Sequence, residues 1–68
     1  MAINIKLNGE NHSIASDASV SSLLESLNVP ATNVVVERNR RIVERDAFDK
    51  EMLEDGDEVE LIRFGGGG

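Results

Sequence analysis

One stretch of this 68-residue chain carries a long helical apolar stripe, and that constrains the fold more than any other feature. Val20, Leu23, Leu24 and Leu27 fall at i, i+3, i+4 and i+7, which puts them on one face of a helix. Ser19 is suited to cap the first turn, its hydroxyl able to accept from a free amide within about Val20 to Ser22. Asn28 and the Val29-Pro30 step end the helix, because a residue before proline is pushed out of the α region. A chain this short is near the lower limit for a self-supporting core. It contains no cysteine, so disulfides and thiolate zinc sites are ruled out, and Phe48 and Phe64 are its only aromatics. Stability must therefore come from an aliphatic core built against the single stripe.

The remaining apolar residues are spaced for strands. Ile3, Ile5 and Leu7 alternate with Asn4 and Lys6, a period of two with one face buried. Asn8-Gly9 is suited to a tight hairpin turn, with a second strand returning around His12 to Ala15. Val34 to Val36 reads as a third strand, Arg38-Asn39-Arg40 as a turn and Arg41 to Val43 as a short fourth strand. Phe48, Met52 and Leu53 have helix-like spacing, enough for one or two turns over the core. Asp55-Gly56-Asp57 makes another sharp turn before a last strand, Glu58 to Phe64. The order β-β-α-β-β-β implies an α+β fold with a mixed sheet of four to five strands folded over one main helix. A right-handed crossover would set the first and last strands side by side and parallel. This is the β-grasp arrangement, as in ubiquitin. Residues 1–64 are expected to form that domain and residues 65–68 a flexible glycine tail.

Thirteen Asp and Glu against seven Lys and Arg argue against nonspecific binding to nucleic acid or anionic membrane, and favour a basic protein partner. No apolar run is long enough to span a bilayer, and the start lacks the plan of a signal peptide, so the expected location is the cytoplasm. The chain offers no nucleophilic cysteine, no metal-ligand cluster and no phosphate-binding glycine loop. His12 reads as a surface residue near a hairpin. Glu54 to Glu58 lacks the alternating ligand spacing of a calcium loop and reads as a solvated turn. Arg38, Arg40, Arg41 and Arg45 read as the soluble edge of a hairpin, with no interleaved aromatics to suit RNA.

Gly65-Gly66-Gly67-Gly68 follows the last strand. Glycine loses more backbone freedom on ordering than any other residue, so such a run finishes a fold poorly. Extended, it reaches on the order of 13 Å past the sheet and holds a bare α-carboxylate in front of another protein's active site. Along the preceding strand Val59 and Leu61 share one face, and Ile62 and Phe64 share the other with Glu58 and Glu60. If the first pair faces the helix, Ile62 and Phe64 stand exposed beside the tail as a docking patch.

Three stretches together resemble the thiamine-biosynthesis sulfur carrier family, ThiS. They are Ser19 to Leu24, Val36 to Arg45 with Phe48 following, and Asp55 to Leu61 leading to Gly67-Gly68. The family often carries proline where this chain has Glu44, and glutamate where it has Ser22, which would leave the helix capping box incomplete. The resemblance implies that the chain is a protein cosubstrate with no catalytic residue, metal or cofactor of its own. An E1-like adenylyltransferase (ThiF) using ATP and Mg would activate the Gly68 carboxylate as an acyl-adenylate. A persulfide-borne sulfur would displace AMP to leave a thiocarboxylate, and thiazole synthase (ThiG) would take that sulfur. Gly65, Gly66 and Gly67 would thread the tail, while Ile62 and Phe64 would dock the activating enzyme. The alternatives are the small subunit of molybdopterin synthase, a ubiquitin-like modifier joined to lysine, and an inert domain with a glycine tail. The short chain and the Asn39 to Arg45 stretch favour the thiamine carrier.

Overall fold

The computed structural model describes residues 1–64. Five strands form one mixed sheet: β1 (Ala2–Leu7), β2 (Glu10–Ala15), β3 (Val34–Arg38), β4 (Arg41–Val43) and β5 (Glu58–Arg63), in the order β2-β1-β5-β3-β4. Helix α1 (Val20–Ser26) lies across one face. The first and last strands are neighbours and parallel, pairing Lys6 with Glu58 and Leu7 with Val59. The sheet folded over a single main helix is the ubiquitin-like β-grasp arrangement that the segment order implies.

Two hairpins close with two-residue turns of the same kind. Asn8 and Gly9 have φ of 49° and 85°, between Leu7 and Glu10, which pair directly. Asn39 and Arg40 have φ of 52° and 70°, between Arg38 and Arg41. Positive φ at both positions gives the mirror-image turn that matches the right-handed twist of strands. Both asparagines also reach β5. Asn8 Oδ1 accepts the Leu61 N–H at 2.8 Å, and Asn39 Oδ1 accepts the Glu58 N–H at 2.9 Å.

The helical stripe supplies the core as expected. Val20, Leu23 and Leu24 pack with Ile5, Val34, Val36, Val43, Phe48, Leu53 and Val59, all at most 9% exposed. At its start the helix differs from expectation, because serine completes the capping box. Ser19 Oγ accepts the Ser22 N–H at 3.1 Å, and Ser22 Oγ accepts the Ser19 N–H at 2.8 Å. A hydroxyl is acceptor enough for this reciprocal pair, so glutamate is not required. At the other end Asn28 adopts φ 58°, Val29 N–H donates to Leu24 O and Asn28 N–H donates to Glu25 O, closing a Schellman motif.

The segment after β4 departs further from expectation. Phe48 and Leu53 are buried; a single α-turn, closed by Glu51 N–H donating to Ala47 O at 2.9 Å, carries Phe48 but does not reach Leu53. A 3₁₀ turn spans Arg45–Ala47, and Met52 forms an isolated antiparallel bridge with Ser19 while remaining exposed. Backbone bonds from Val20 N–H to Glu51 O and from Leu53 N–H to Ala18 O hold this extended piece beside the helix entrance. Those tertiary bonds satisfy the polar groups a helix would have paired internally. The second strand also begins earlier than the sequence suggests, at Glu10, because the Asn8-Gly9 turn pairs the flanking residues at once.

Candidate functional site

Strand β5 runs past the end of β1. Parallel pairing with β1 ends at Val59, where β1 turns away at Asn8, but pairing with β3 continues to Arg63 opposite Val34. The Asn8 side chain bridges the gap once, at Leu61. Beyond that point the flank of β5 that faced β1 has no strand beside it among the described residues. The strand therefore leaves the sheet as a projecting finger held on one side. Its last bond among the described residues is from Phe64 N–H to Asn33 O at 3.2 Å.

Side chains alternate along this finger. Val59 is buried against the helix and Leu61 partly so, while Ile62 and Phe64 are each 47% exposed. Phe64 borders a shallow groove of about 230 Å³ shared with Val34, Val35, Ile42, Val43 and Phe48. The structure thus brings Ile62 and Phe64 together at the strand's end. The remaining predicted site residues, Gly65 to Gly68, lie outside the described residues.

At the other end of β5, Asp57 corrects the reading of a solvated acidic turn, for it is 6% exposed. Its carboxylate accepts from Arg38 Nε at 2.7 Å, Asn39 Nδ2 at 3.0 Å and the Glu54 N–H at 2.8 Å. Its backbone carbonyl takes the Lys6 N–H at 2.8 Å, so one residue joins β1, the β3–β4 turn and the start of β5. Burial pushes the carboxyl up, but the bonds from Asn39, Glu54 and Arg38, together with the Arg38 charge, hold it below the usual carboxylate range.

Arg38 likewise leaves the exposed basic cluster in which the sequence reading placed it. It pairs with Glu51 at 2.8 Å and with Asp57 at 2.7 Å. Burial pushes its guanidinium down, and the bonds and charges of Glu51 and Asp57 more than reverse this. Strand parity held the missing signal. Arg38 shares the inward face with Val34 and Val36, and an inward cation needs an acidic partner. The network positions β5 and has no reactive group of its own. Among the described residues, no group of three His, Asp or Glu side chains is placed to hold a metal ion. No described helix is long and apolar enough to cross a membrane.

The family model described as the ThiS family matches residues 5–68. The chain belongs to the ThiS family. It is 32% identical over 65 residues to the sulfur carrier protein ThiS of Bacillus subtilis, covering 94% of this chain and 98% of that one. The crystal structure of a thiamine biosynthesis protein (ThiS) from Geobacter metallireducens superposes with a TM-score of 0.83 at 40% identity, covering 97% of this chain and 100% of that one. A thiazole synthase of Paramagnetospirillum magneticum is 35% identical over 66 residues, which are 97% of this chain. The chain spans 20% of the length of that thiazole synthase. Membership of the ThiS family thus rests on sequence and backbone alike.

Proposed function

We propose that the chain is a sulfur carrier for thiazole formation in thiamine biosynthesis, with the Gly68 α-carboxylate as its reactive group. A carboxylate is a poor electrophile until it acquires a leaving group. An adenylyltransferase of the ThiF type, itself holding ATP and Mg²⁺, transfers AMP to the carboxylate oxygen and releases pyrophosphate. The terminal sulfur of a persulfide attacks the acyl carbon and expels AMP. Cleavage of the resulting S–S bond by a thiol leaves the thiocarboxylate, which thiazole synthase consumes. Gly67 and Gly68 place no side chain beside the acyl carbon, Gly65 and Gly66 act as spacer, and Ile62 and Phe64 dock the activating enzyme. The chain is then a cosubstrate with no catalytic residue of its own.

The observation that carries this reading is the ThiS-family match, which runs through Gly68 itself. The projecting end of β5 supports it, because a strand paired on one flank can hand its continuation to another protein. The likeness to part of a thiazole synthase supports the choice of sulfur acceptor.

Intact-mass measurement after incubation with ATP, a sulfur source and the activating enzyme tests the reading. The expected product has one sulfur in place of one oxygen. An unchanged mass refutes the carrier function, and the gain of a whole protein identifies a modifier instead. One residue appended after Gly68 is expected to abolish the product. Ile62→Asp, at an exposed position, is expected to slow activation while leaving the protein folded; an unchanged rate removes Ile62 from the docking patch.

A further inference from the structure

Asn8 does two jobs that normally fall to different residues. In a parallel ladder, the N–H and C=O of one residue bond to two residues of the neighbouring strand that lie two positions apart. Lys6 pairs with Glu58 and Leu7 with Val59, so Asn8 stands opposite Glu60 and its bonds belong at Val59 and Leu61. Its N–H does donate to Val59 O, at 2.9 Å. Its own carbonyl cannot follow, because at φ 49° Asn8 has already entered the left-handed turn with Gly9. The side-chain Oδ1 takes that carbonyl's place and accepts the Leu61 N–H at 2.8 Å.

The same exchange of side chain for backbone occurs at the other hairpin. Continuing the β3–β5 register past Arg38 and Val59 puts Asn39 opposite Glu58. Asn39 N–H donates to Glu58 O at 2.7 Å, and Asn39 Oδ1 accepts the Glu58 N–H at 2.9 Å. Each asparagine thus adds one rung to β5 from inside a turn. The two rungs hold different things. Asn39 secures the start of β5, where β1 and β3 flank it on both sides. Asn8 secures Leu61, past the last β1 pair, and its rung is the last restraint on that flank among the described residues. From Ile62 to Phe64 the strand is held by β3 and Asn33.

We infer that Asn8 is a positioning residue for the carrier reaction, its side-chain oxygen setting the direction in which β5 delivers the chain that follows it. The inference rests on the carrier reading above. Held on both flanks as far as Leu61, β5 leaves only a short segment supported from one side. Without the rung, support on the β1 flank ends at Val59 and a longer segment can swing about its β3 flank. An end reaching on the order of 13 Å past the sheet moves by about 2 Å for a swing of about 10°. Misplacing reacting atoms by even about 1 Å can cost on the order of a hundredfold in rate. The partner enzyme restores the alignment only out of its own binding energy. Asn8 meets no reacting atom and acts through Leu61.

The test compares Asn8→Gly and Asn8→Asp with the wild type, using Ser19→Ala at the helix cap as a stability control. Gly-Gly and Asp-Gly both suit the two-residue turn, so each variant keeps the hairpin, but only aspartate keeps the acceptor oxygen. Readouts are exchange of the Leu61 amide proton by NMR, thermal unfolding, and kcat/KM for activation by the adenylyltransferase. Asn8→Gly is expected to speed Leu61 exchange about 3–10-fold and to lower kcat/KM about 3–10-fold. Asn8→Asp is expected to stay within about twofold of wild type on both. Ser19→Ala is expected to lower the thermal midpoint while leaving Leu61 exchange and kcat/KM near wild type. Wild-type kcat/KM in Asn8→Gly, or an equal loss in Asn8→Asp or Ser19→Ala, overturns the positioning role and leaves the carrier reading standing. A slowed Asn8→Gly with unchanged Leu61 exchange overturns the role too. A wild-type chain that gains no sulfur overturns both.

Discussion

Replacing Asp57 by asparagine tests whether one buried carboxylate sets the position of β5. The substitution keeps the shape but leaves a single amide oxygen where two carboxylate oxygens served three donors. Oδ2 takes Arg38 Nε and the Glu54 N–H, while Oδ1 takes Asn39 Nδ2. Either orientation of the new amide points its NH₂ at a donor. A bond to a charged group contributes about 1.5–3 kcal/mol, and an orphaned buried donor costs about 1–3 kcal/mol. Arg38 keeps Glu51 and some solvent access, which lowers the total. The expected loss is therefore about 2–3 kcal/mol at pH 7, a large part of what a domain of this size possesses. Urea unfolding followed by circular dichroism measures it.

The pH dependence adds a second constraint on the same variant. The folded Asp57 carboxyl titrates below its ordinary 3.8, so its contribution is complete above that value and is lost as pH falls through the folded pKa. Wild type is thus expected to lose stability more steeply than Asp57→Asn on acidification below pH 4, and the gap between them to narrow. A loss under 1 kcal/mol at pH 7, or a gap that stays constant down to pH 2, would refute the proposed role of the network.

Arg40 and Leu23 supply two more tests. Arg40→Gly is expected to raise stability by about 0.5–1 kcal/mol, because a side chain at φ 70° costs about 1–2 kcal/mol and glycine's extra unfolded-state freedom offsets only part of that; a lower thermal midpoint would contradict it. Leu23→Ala, at a position 1% exposed, is expected to cost about 2–5 kcal/mol in urea unfolding, enough to leave much of the protein unfolded at 25 °C, and a cost below 1 kcal/mol would remove Leu23 from the core.

Some of this architecture was legible because its cause is local. The stripe Val20, Leu23, Leu24 and Leu27, the alternation of Ile3 to Leu7, and the Asn8-Gly9 turn each follow from side-chain spacing or backbone preference within a few residues. The parallel neighbours β1 and β5 were implied only on the condition of a right-handed crossover, which residue propensities alone do not fix. Parity along β5 alone separates Val59 from Ile62.

Other features depended on groups far apart in sequence. Composition made Asp57 one more acid in a polar turn, and only the approach of Arg38 and Asn39, 19 and 18 residues away, makes it a buried anchor. Phe48, Met52 and Leu53 have helical spacing, yet the turn that carries Phe48 stops at Glu51, and the bond to Ala18 and the bridge to Ser19 draw Met52 and Leu53 out straight. The pairing of Glu37 with Glu60 is likewise invisible along the chain, because register joins strands that are distant in sequence. Periodicity and turn chemistry decided which segments are helix and strand. Which charges meet, and how far β5 projects beyond its neighbour, was decided by tertiary pairing, since electrostatics and strand register act through space and not along the backbone.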